Sequence, residues 1–248
     1  AYVRTDSYFD NSPLASSGLP SKNELELLNV WKDEIPAEVF TETFTPPITD
    51  GSGNDRKNLL KAKEILEKEG WFVEDGKLVK DGKEFKFEFL IVSPSDEKIA
   101  LAYQSNLKKL GITMDVRTVD SSQYQERLLS YDFDMIKRYW GVSLSPGNEQ
   151  QFYWGSEVGQ KDGSRNYPGI NSPAVDALIE KLISATNREE LTTAIHALDR
   201  VLLWGHYVVP LYHSNKDRIA YWDFFEYPDE IPLYGIVIES WWINKDKQ

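Results

Sequence analysis

The sequence predicts an α/β fold. Three observations carry that expectation. Short strand-like stretches occur at 85–91, 112–118 and 133–140, the first alternating clearly with period two. Helical periodicity with capping residues fills the segments between them. The resulting order over 54–140 is strand, helix, strand, helix, strand, which calls for parallel pairing through crossover helices.

Each element has a local reason. Asn54 or Asp55 can cap RKNLLKAKEILEKEG, where Leu59, Ala62, Ile65, Leu66 and Glu69 give one mostly apolar face and Gly70 supplies a stop. Asp75-Gly76 and Asp81-Gly82 are turn dipeptides. Phe85, Phe87, Phe89 and Ile91 then alternate with Lys86, Glu88 and Leu90 as a strand. Ser95 caps a helix running to Leu110, with Ile99, Tyr103 and Leu107 at helical spacing, and Gly111 ends it. Ile112, Met114, Val116 and Thr118 form the next strand, Ser121 or Ser122 opens a helix carrying Tyr124 and Leu128, and Phe133 to Trp140 is the last strand.

Outside this core the signals are sparser. Residues 1–53 read as an extended segment packed on the core, with one short helix where Ser21 and Glu24 form a capping box. Ile35-Pro36 and Thr45-Pro46-Pro47 demand extended or turned backbone there. Two helices follow the core. One is capped by Ser172 with Pro173 behind it and buries Val175, Leu178, Ile179, Leu182 and Ile183. The other starts at an Asn187/Glu190 capping box and buries Leu191, Ala194, Ile195, Leu198, Val201 and Leu202. Short strands are expected at Val208–Tyr212 and Ile219–Trp222. The organisation is therefore 1–53, a ligand-binding lobe at 54–216, and a C-terminal segment at 217–248.

Composition narrows the function classes. Across 248 residues, 41% are hydrophobic, enough for a sizeable core. The net charge of −12 repels phosphate backbones and anionic lipid, so nucleic acid and membrane surfaces are poor partners. The absence of cysteine excludes disulfides, thiolate nucleophiles and zinc-thiolate sites. No apolar run approaches the ~20 residues that span a bilayer. No signal peptide opens the chain, and AYVRTDSYFDNSP reads like the inside of a longer protein.

Catalytic and metal chemistry finds little purchase. His196 lies beside the apolar stripe of its helix, His206 follows that helix where a cation meets the macrodipole, and His213 follows a strand; none has a metal-ligand spacing to a carboxylate. Asp132 and Asp134 flank Phe133 and share a strand face, as an acid/base pair would, although strand-end carboxylates more often cap turns or pair with cations. Gly51-Ser52-Gly53 lacks the spacing of a phosphate loop and reads as a linker. No cofactor or metal is expected.

The remaining feature is YDFDMIKRYWGVSLSPGNEQ, residues 131–150. It places Trp140 at the carboxyl end of a parallel strand, where ligands of open α/β sheets gather. A polar loop follows, with Gly141, Ser143, Ser145 and Asn148. Lys137 and Arg138 lie just upstream on opposite strand faces, and Tyr139, Phe152, Tyr153 and Trp154 cluster nearby. A packed core tryptophan followed by a solvated loop is the plainer alternative.

Five segments carry a resemblance: Gly70-Trp71 after the lysine-rich helix, LKKLGITMDVRTVD, YQERLLSYDFDMIKRYW, YPGINSPAVDALIEKL and ALDRVLLWGHYVVPLYH. In order and spacing they resemble the extracellular solute-binding proteins of family 5, the dipeptide and oligopeptide receptors of ABC importers. SYFDNSPLASSGLPSKNELELL resembles the Yej-type subgroup, associated with microcin C and oligopeptides. The resemblance implies a periplasmic binding protein-like II fold, with this chain forming most of the second lobe of a two-lobed receptor. It implies that 217–248 crosses back to a first lobe lying outside the sequence. It implies a non-enzymatic, periplasmic protein, or a lipid-anchored one in a Gram-positive source. The partners would be a peptide-like ligand, the inner-membrane permease and the missing lobe.

In oligopeptide receptors of the family, an Asp three residues after the Trp pairs with the peptide's α-amino group. Trp140 matches the Trp, but Ser143 holds the Asp position and lacks the charge suited to an ammonium. Lys137 matches a family Arg that meets the carboxylate of short peptides. Trp140, Gly141, Ser143, Ser145, Asn148, Lys137 and Arg138 are thus the expected ligand-binding residues. The rivals are a same-fold oligosaccharide receptor, a secreted hydrolase using Asp132 and Asp134, and a scaffold without ligand.

Overall fold

In the computed structural model, which describes residues 2–233 and 235–247, the chain opens with strand β1 (Tyr2–Arg4). Helix α1 (Lys22–Leu28) starts at the expected capping box: Ser21 Oγ accepts from the Glu24 amide, and the Glu24 carboxylate accepts from the Ser21 amide. A 3-10 turn at Asn29–Trp31 and the one-turn helix α2 (Glu38–Thr41) follow. The segment read as extended therefore carries two short helices between irregular stretches.

Helix α3 (Arg56–Lys68) is capped by Asp55, which accepts from the Asn58 amide at 2.9 Å. Its apolar face is only partly used: Leu66 packs against the core, but Ile65 stays 54% exposed. Strands β2 (Phe72–Glu74), β3 (Lys77–Lys80) and β4 (Lys83–Glu84) make a small antiparallel sheet. Both of its turns, Asp75-Gly76 and Asp81-Gly82, have positive φ at both residues, which matches the right-handed twist of paired strands.

The expected alternation then appears as β5 (Lys86–Ile91), α4 (Pro94–Lys108), β6 (Thr113–Thr118), α5 (Ser121–Leu129) and β7 (Met135–Ile136). Strand β5 is central, with β6 and β7 parallel to it on either side. Period-two alternation in β5 splits its side chains between two cores. Phe89 and Ile91 are buried with Ala100 and Leu107 of α4, while Leu90 is buried with Tyr124 and Leu128 of α5.

Three details differ from the sequence reading. Ser93, not Ser95, caps α4, with Pro94 in the first turn where its missing N–H costs nothing. Asp120, not Ser121 or Ser122, caps α5, accepting from the Ser122 and Gln123 amides. Strand β7 stops at Ile136 instead of reaching Trp140, because only Met135 and Ile136 find ladder partners, in Phe89 and Leu90.

Helix α6 (Glu149–Trp154) leads to α7 (Pro173–Ile183) and α8 (Arg188–Trp204). Ser172 and Asn187 cap the last two as expected. At Asn187 the box is altered: the Glu190 carboxylate accepts from the Thr186 amide and hydroxyl, one residue earlier than the cap. Helices α7 and α8 pack on each other and bury Leu178, Ile179, Leu198 and Leu202 with Phe9, Leu14, Leu28 and Val39 of the N-terminal segment.

Strand β8 (Tyr212–Ser214) pairs antiparallel with β1, and β9 (Phe225–Glu226) with β10 (Trp242–Ile243). The strand expected at Val208–Tyr212 thus begins only at Tyr212, and Ile219–Trp222 is not a strand. Contacts divide the chain into Ser7–Val208 and a second unit of Ala1–Asp6 with Val209–Gln248. These divisions differ from 53/54 and 216/217 because residues before 53 share one core with α7 and α8.

Candidate functional site

The three parallel strands end together at Ile91, Thr118 and Ile136, and the chain segments that leave them define one end of the sheet. Ser93 and Asp120 are consumed as helix caps there. After β7 the chain runs through Lys137, Arg138 and Tyr139 to Trp140.

Since β7 ends at Ile136, Lys137 and Arg138 do not sit on opposite faces of a strand; both lie past its end. Lys137 Nζ is paired with the Asp96 carboxylate in the first turn of α4. Its backbone carbonyl accepts from the Tyr124 hydroxyl at 3.3 Å. Arg138 lies over the Tyr167 ring, 5.0 Å from its centroid, and donates to the Tyr167 hydroxyl at 3.0 Å. Burial pushes the Tyr124 phenol's pKa up, with the Arg138 charge opposing.

Trp140 is half-buried. Its ring packs on Trp154 with centroids 4.8 Å apart and on Tyr167 at 6.2 Å. Its indole N–H donates to the Arg165 carbonyl at 3.2 Å. Trp154 beneath it is 1% exposed, bonded through Nε1 to Gln150, and touched edge-on by Tyr8. The indole is therefore a wall element, one part fixed to the core and one part open.

The loop that follows is exposed at Gly141, Ser143, Ser145 and Asn148. Ser143 Oγ accepts from the Ser145 amide at 3.1 Å, so it shapes the loop itself. The Gly141 carbonyl accepts from the Tyr153 hydroxyl at 3.4 Å, and the Leu144 carbonyl from Arg188. Asn148 stands at the start of α6 without a side-chain capping bond. Of the nearby aromatics, Tyr153 and Trp154 join Trp140, whereas Tyr139 is 89% exposed and Phe152 faces outward.

The sequence reading missed the clip that holds this wall. Asn166 is fully buried. Its amide donates to the carbonyls of Gly155 and Ile170, and its Oδ1 accepts from the Ile170 amide. Those three bonds fix the 155–170 loop, and with it the Arg165 carbonyl under Trp140 and the Tyr167 ring under Arg138. The only sequence signal was a lone Asn before Tyr-Pro-Gly, which reads as an ordinary turn.

The other candidates have structural partners. Asp134 accepts from the Glu88 amide at 2.8 Å, and Asp132 pairs with Arg127 at 2.8 Å. Glu88 takes a second nitrogen of Arg127. His213 bonds Thr5, while His206, at φ 51°, sits beside Trp204 and Phe44. His196 lies between the Glu24 carboxylate and the Pro13 carbonyl. Among the described residues, no three His, Asp or Glu side chains gather as a metal site. No described helix is long and apolar enough to cross a membrane. A pocket within the smaller unit is lined by Ile219, Tyr227, Pro228, Ile231 and Trp241, and none of the expected site residues lines it.

A family model described as bacterial extracellular solute-binding proteins, family 5 Middle, matches residues 30–162. The chain is 49% identical over 244 residues to the uncharacterized protein y4wM of Sinorhizobium fredii, covering 97% of this chain and 37% of that one. It is 42% identical over 247 residues to the probable peptide-binding protein YejA of Agrobacterium fabrum, covering 98% and 40%. Among solved structures it superposes on the oligopeptide-binding protein AppA of Bacillus subtilis, in complex with a nonapeptide, with a TM-score of 0.59 at 23% identity over 90% of this chain and 45% of AppA. The chain thus spans about two-fifths of the length of these curated relatives. The fold is that of one partial lobe of a periplasmic binding protein.

Proposed function

The chain belongs to the bacterial extracellular solute-binding proteins of family 5, and from that premise we propose that it is the ligand-binding lobe of a receptor that captures peptides or peptide-like solutes and delivers them to an ABC permease. The ligand would lie against the strand ends, with Trp140 as its apolar wall and the loop of Gly141, Ser143, Ser145 and Asn148 as its polar rim. Lys137 and Arg138 would stand at the edge of the same site. A second lobe, outside this sequence, would close over it, and 217–248 would cross back toward that lobe. Residues 1–53 would stay packed on the present one.

One observation supports this reading most strongly. Trp140 is held on its inner side by Trp154 and Arg165 while an exposed polar loop begins at its edge. A rigid aromatic wall beside adaptable hydroxyls and amides suits backbone hydrogen bonding with roomy, wet side-chain pockets. Closure of two lobes about crossing segments would then enclose the ligand. No turnover is proposed: Asp132 and Asp134 are engaged by Arg127 and the Glu88 amide.

The experiment is identification, by mass spectrometry, of solutes released from the purified full-length receptor. Peptides or peptide conjugates are the expected finding. Recovery of oligosaccharides alone would replace this reading with the sugar-receptor alternative.

A further inference from the structure

Two cations leave β7 side by side, and the fold treats them differently. Lys137 is neutralised within the protein by Asp96, whose side chain is 13% exposed. Asp120, at the same end of the sheet, accepts from the Ser122 and Gln123 amides of α5. Arg138 is exposed, and its partner among the described residues is a phenol, that of Tyr167. A phenol hydroxyl orients a guanidinium without cancelling its charge. Stacking on Tyr167 further fixes the plane of the fork while leaving its other N–H groups unspent.

We propose, resting on the peptide-receptor reading above, that Arg138 anchors a carboxylate of the captured solute and that Lys137 does not. The family resemblance points to Lys137 for that task. The ion pair with Asp96 points instead to Lys137 as a brace between β7 and α4. Arg138 meets the physical requirement of a carboxylate anchor: a fixed planar donor array, a charge with no carboxylate partner among the described residues, and a position two residues before the Trp140 wall. Against a net charge of −12 for the whole chain, an unpaired cation at the strand ends also supplies local attraction for an anionic group. Ser143 fits the same pattern, since a site that lacks the acid for an ammonium gains most of its charge recognition from the carboxylate end.

The carboxylate could be a chain end or an acidic side chain, and calorimetry on the full-length receptor separates these. One arm compares tetra-alanine as free acid with its C-terminal amide. The second compares Ala-Ala-Asp-Ala amide with Ala-Ala-Asn-Ala amide. In the wild type, one arm is expected to show at least tenfold discrimination in favour of the carboxylate, and Arg138→Gln is expected to bind both members of that arm alike. Lys137→Gln is expected to keep the discrimination. Equal binding of acid and neutral peptides by the wild type overturns this inference and leaves the peptide reading standing. Full discrimination retained in Arg138→Gln overturns it as well, because another group would then read the carboxylate. If no peptide of either arm binds while maltohexaose does, the peptide reading fails and this inference fails with it.

Discussion

Arg200 on α8 donates through Nε to Glu24 on α1 at 2.6 Å, and both side chains are almost fully buried. The same guanidinium donates to the carbonyls of Ser17, Gly18 and Leu19. One arginine thus ties the N-terminal segment to the longest helix. Replacing Arg200 with Met leaves a buried carboxylate and three carbonyls without their donor. Breaking a buried pair in this way costs about 3–5 kcal/mol. A urea titration of the full-length protein checks this; a midpoint equal to wild type would mean that the segment is held by its apolar contacts alone.

The same cluster sets a pH dependence. Burial pushes the Glu24 carboxyl upward, but the neighbouring His196 imidazole and the hydrogen-bonded Arg200 guanidinium overcome it and hold the pKa at about 2. Its folded value lies below the unfolded one, so its stabilisation is present above the ordinary carboxylate range and disappears as pH falls toward 2. His196 is shifted the other way. The Glu24 carboxylate and the Pro13 carbonyl both favour its charged form, and burial opposes them. Its contribution is complete below the ordinary histidine range and is lost as pH rises through the raised folded value. Glu24→Gln should therefore remove the lower limb and shrink the upper one, whereas His196→Gln should remove the upper limb and leave a weakened lower one held by Arg200. An upper limb that survives in His196→Gln would assign it to some other group.

Asn166→Ala should loosen the wall. It removes three buried hydrogen bonds at once, and each backbone group left without a partner costs about 1–3 kcal/mol. Because Arg165 and Tyr167 sit on the same loop, the fluorescence of Trp140 is expected to shift along with the stability loss. The shift is read as the difference between Asn166→Ala in the wild-type background and in Trp140→Phe. A loss of stability with no Trp140 component would separate the loop from the site.

Gly111 follows α4 with φ +80°, and its carbonyl accepts from the Leu78 amide at 2.7 Å. A Cβ there would lie 2.8 Å from that same backbone nitrogen. Gly111→Ala combines a left-handed strain with a backbone clash, so a loss of about 1–3 kcal/mol is expected in thermal unfolding. Retention of the wild-type Tm would show that the β3 edge moves aside freely.

The features legible in the sequence are those set by neighbours in the chain. The capping box at Ser21, the N-cap at Asn187, the paired Asp-Gly turns and the alternation through Phe85, Phe87, Phe89 and Ile91 all act within a few residues, and the fold carries each of them. The parallel core followed from the same local rules. What escaped was decided at a distance. Strand β7 keeps only Met135 and Ile136, the two residues that find partners in β5, although Phe133 to Trp140 reads as one longer strand. The Arg200–Glu24 contact spans 176 positions, and the role of Asn166 depends on carbonyls at 155 and 170. Lys137 and Arg138 look interchangeable in sequence; only the positions of Asp96 and Tyr167 distinguish them. The place of Trp140 beside a polar loop was readable, while the partners that fix its indole were not.

The central claim is that the strand ends, with Trp140 as their wall, form the surface against which the solute lies. The most direct measurement is the affinity of the full-length receptor for its released solute, by calorimetry, in wild type and Trp140→Ala, with a urea titration alongside to establish folding. The account expects affinity to fall more than tenfold in a variant that remains folded. Unchanged affinity in folded Trp140→Ala would contradict it and return the indole to a purely packing role.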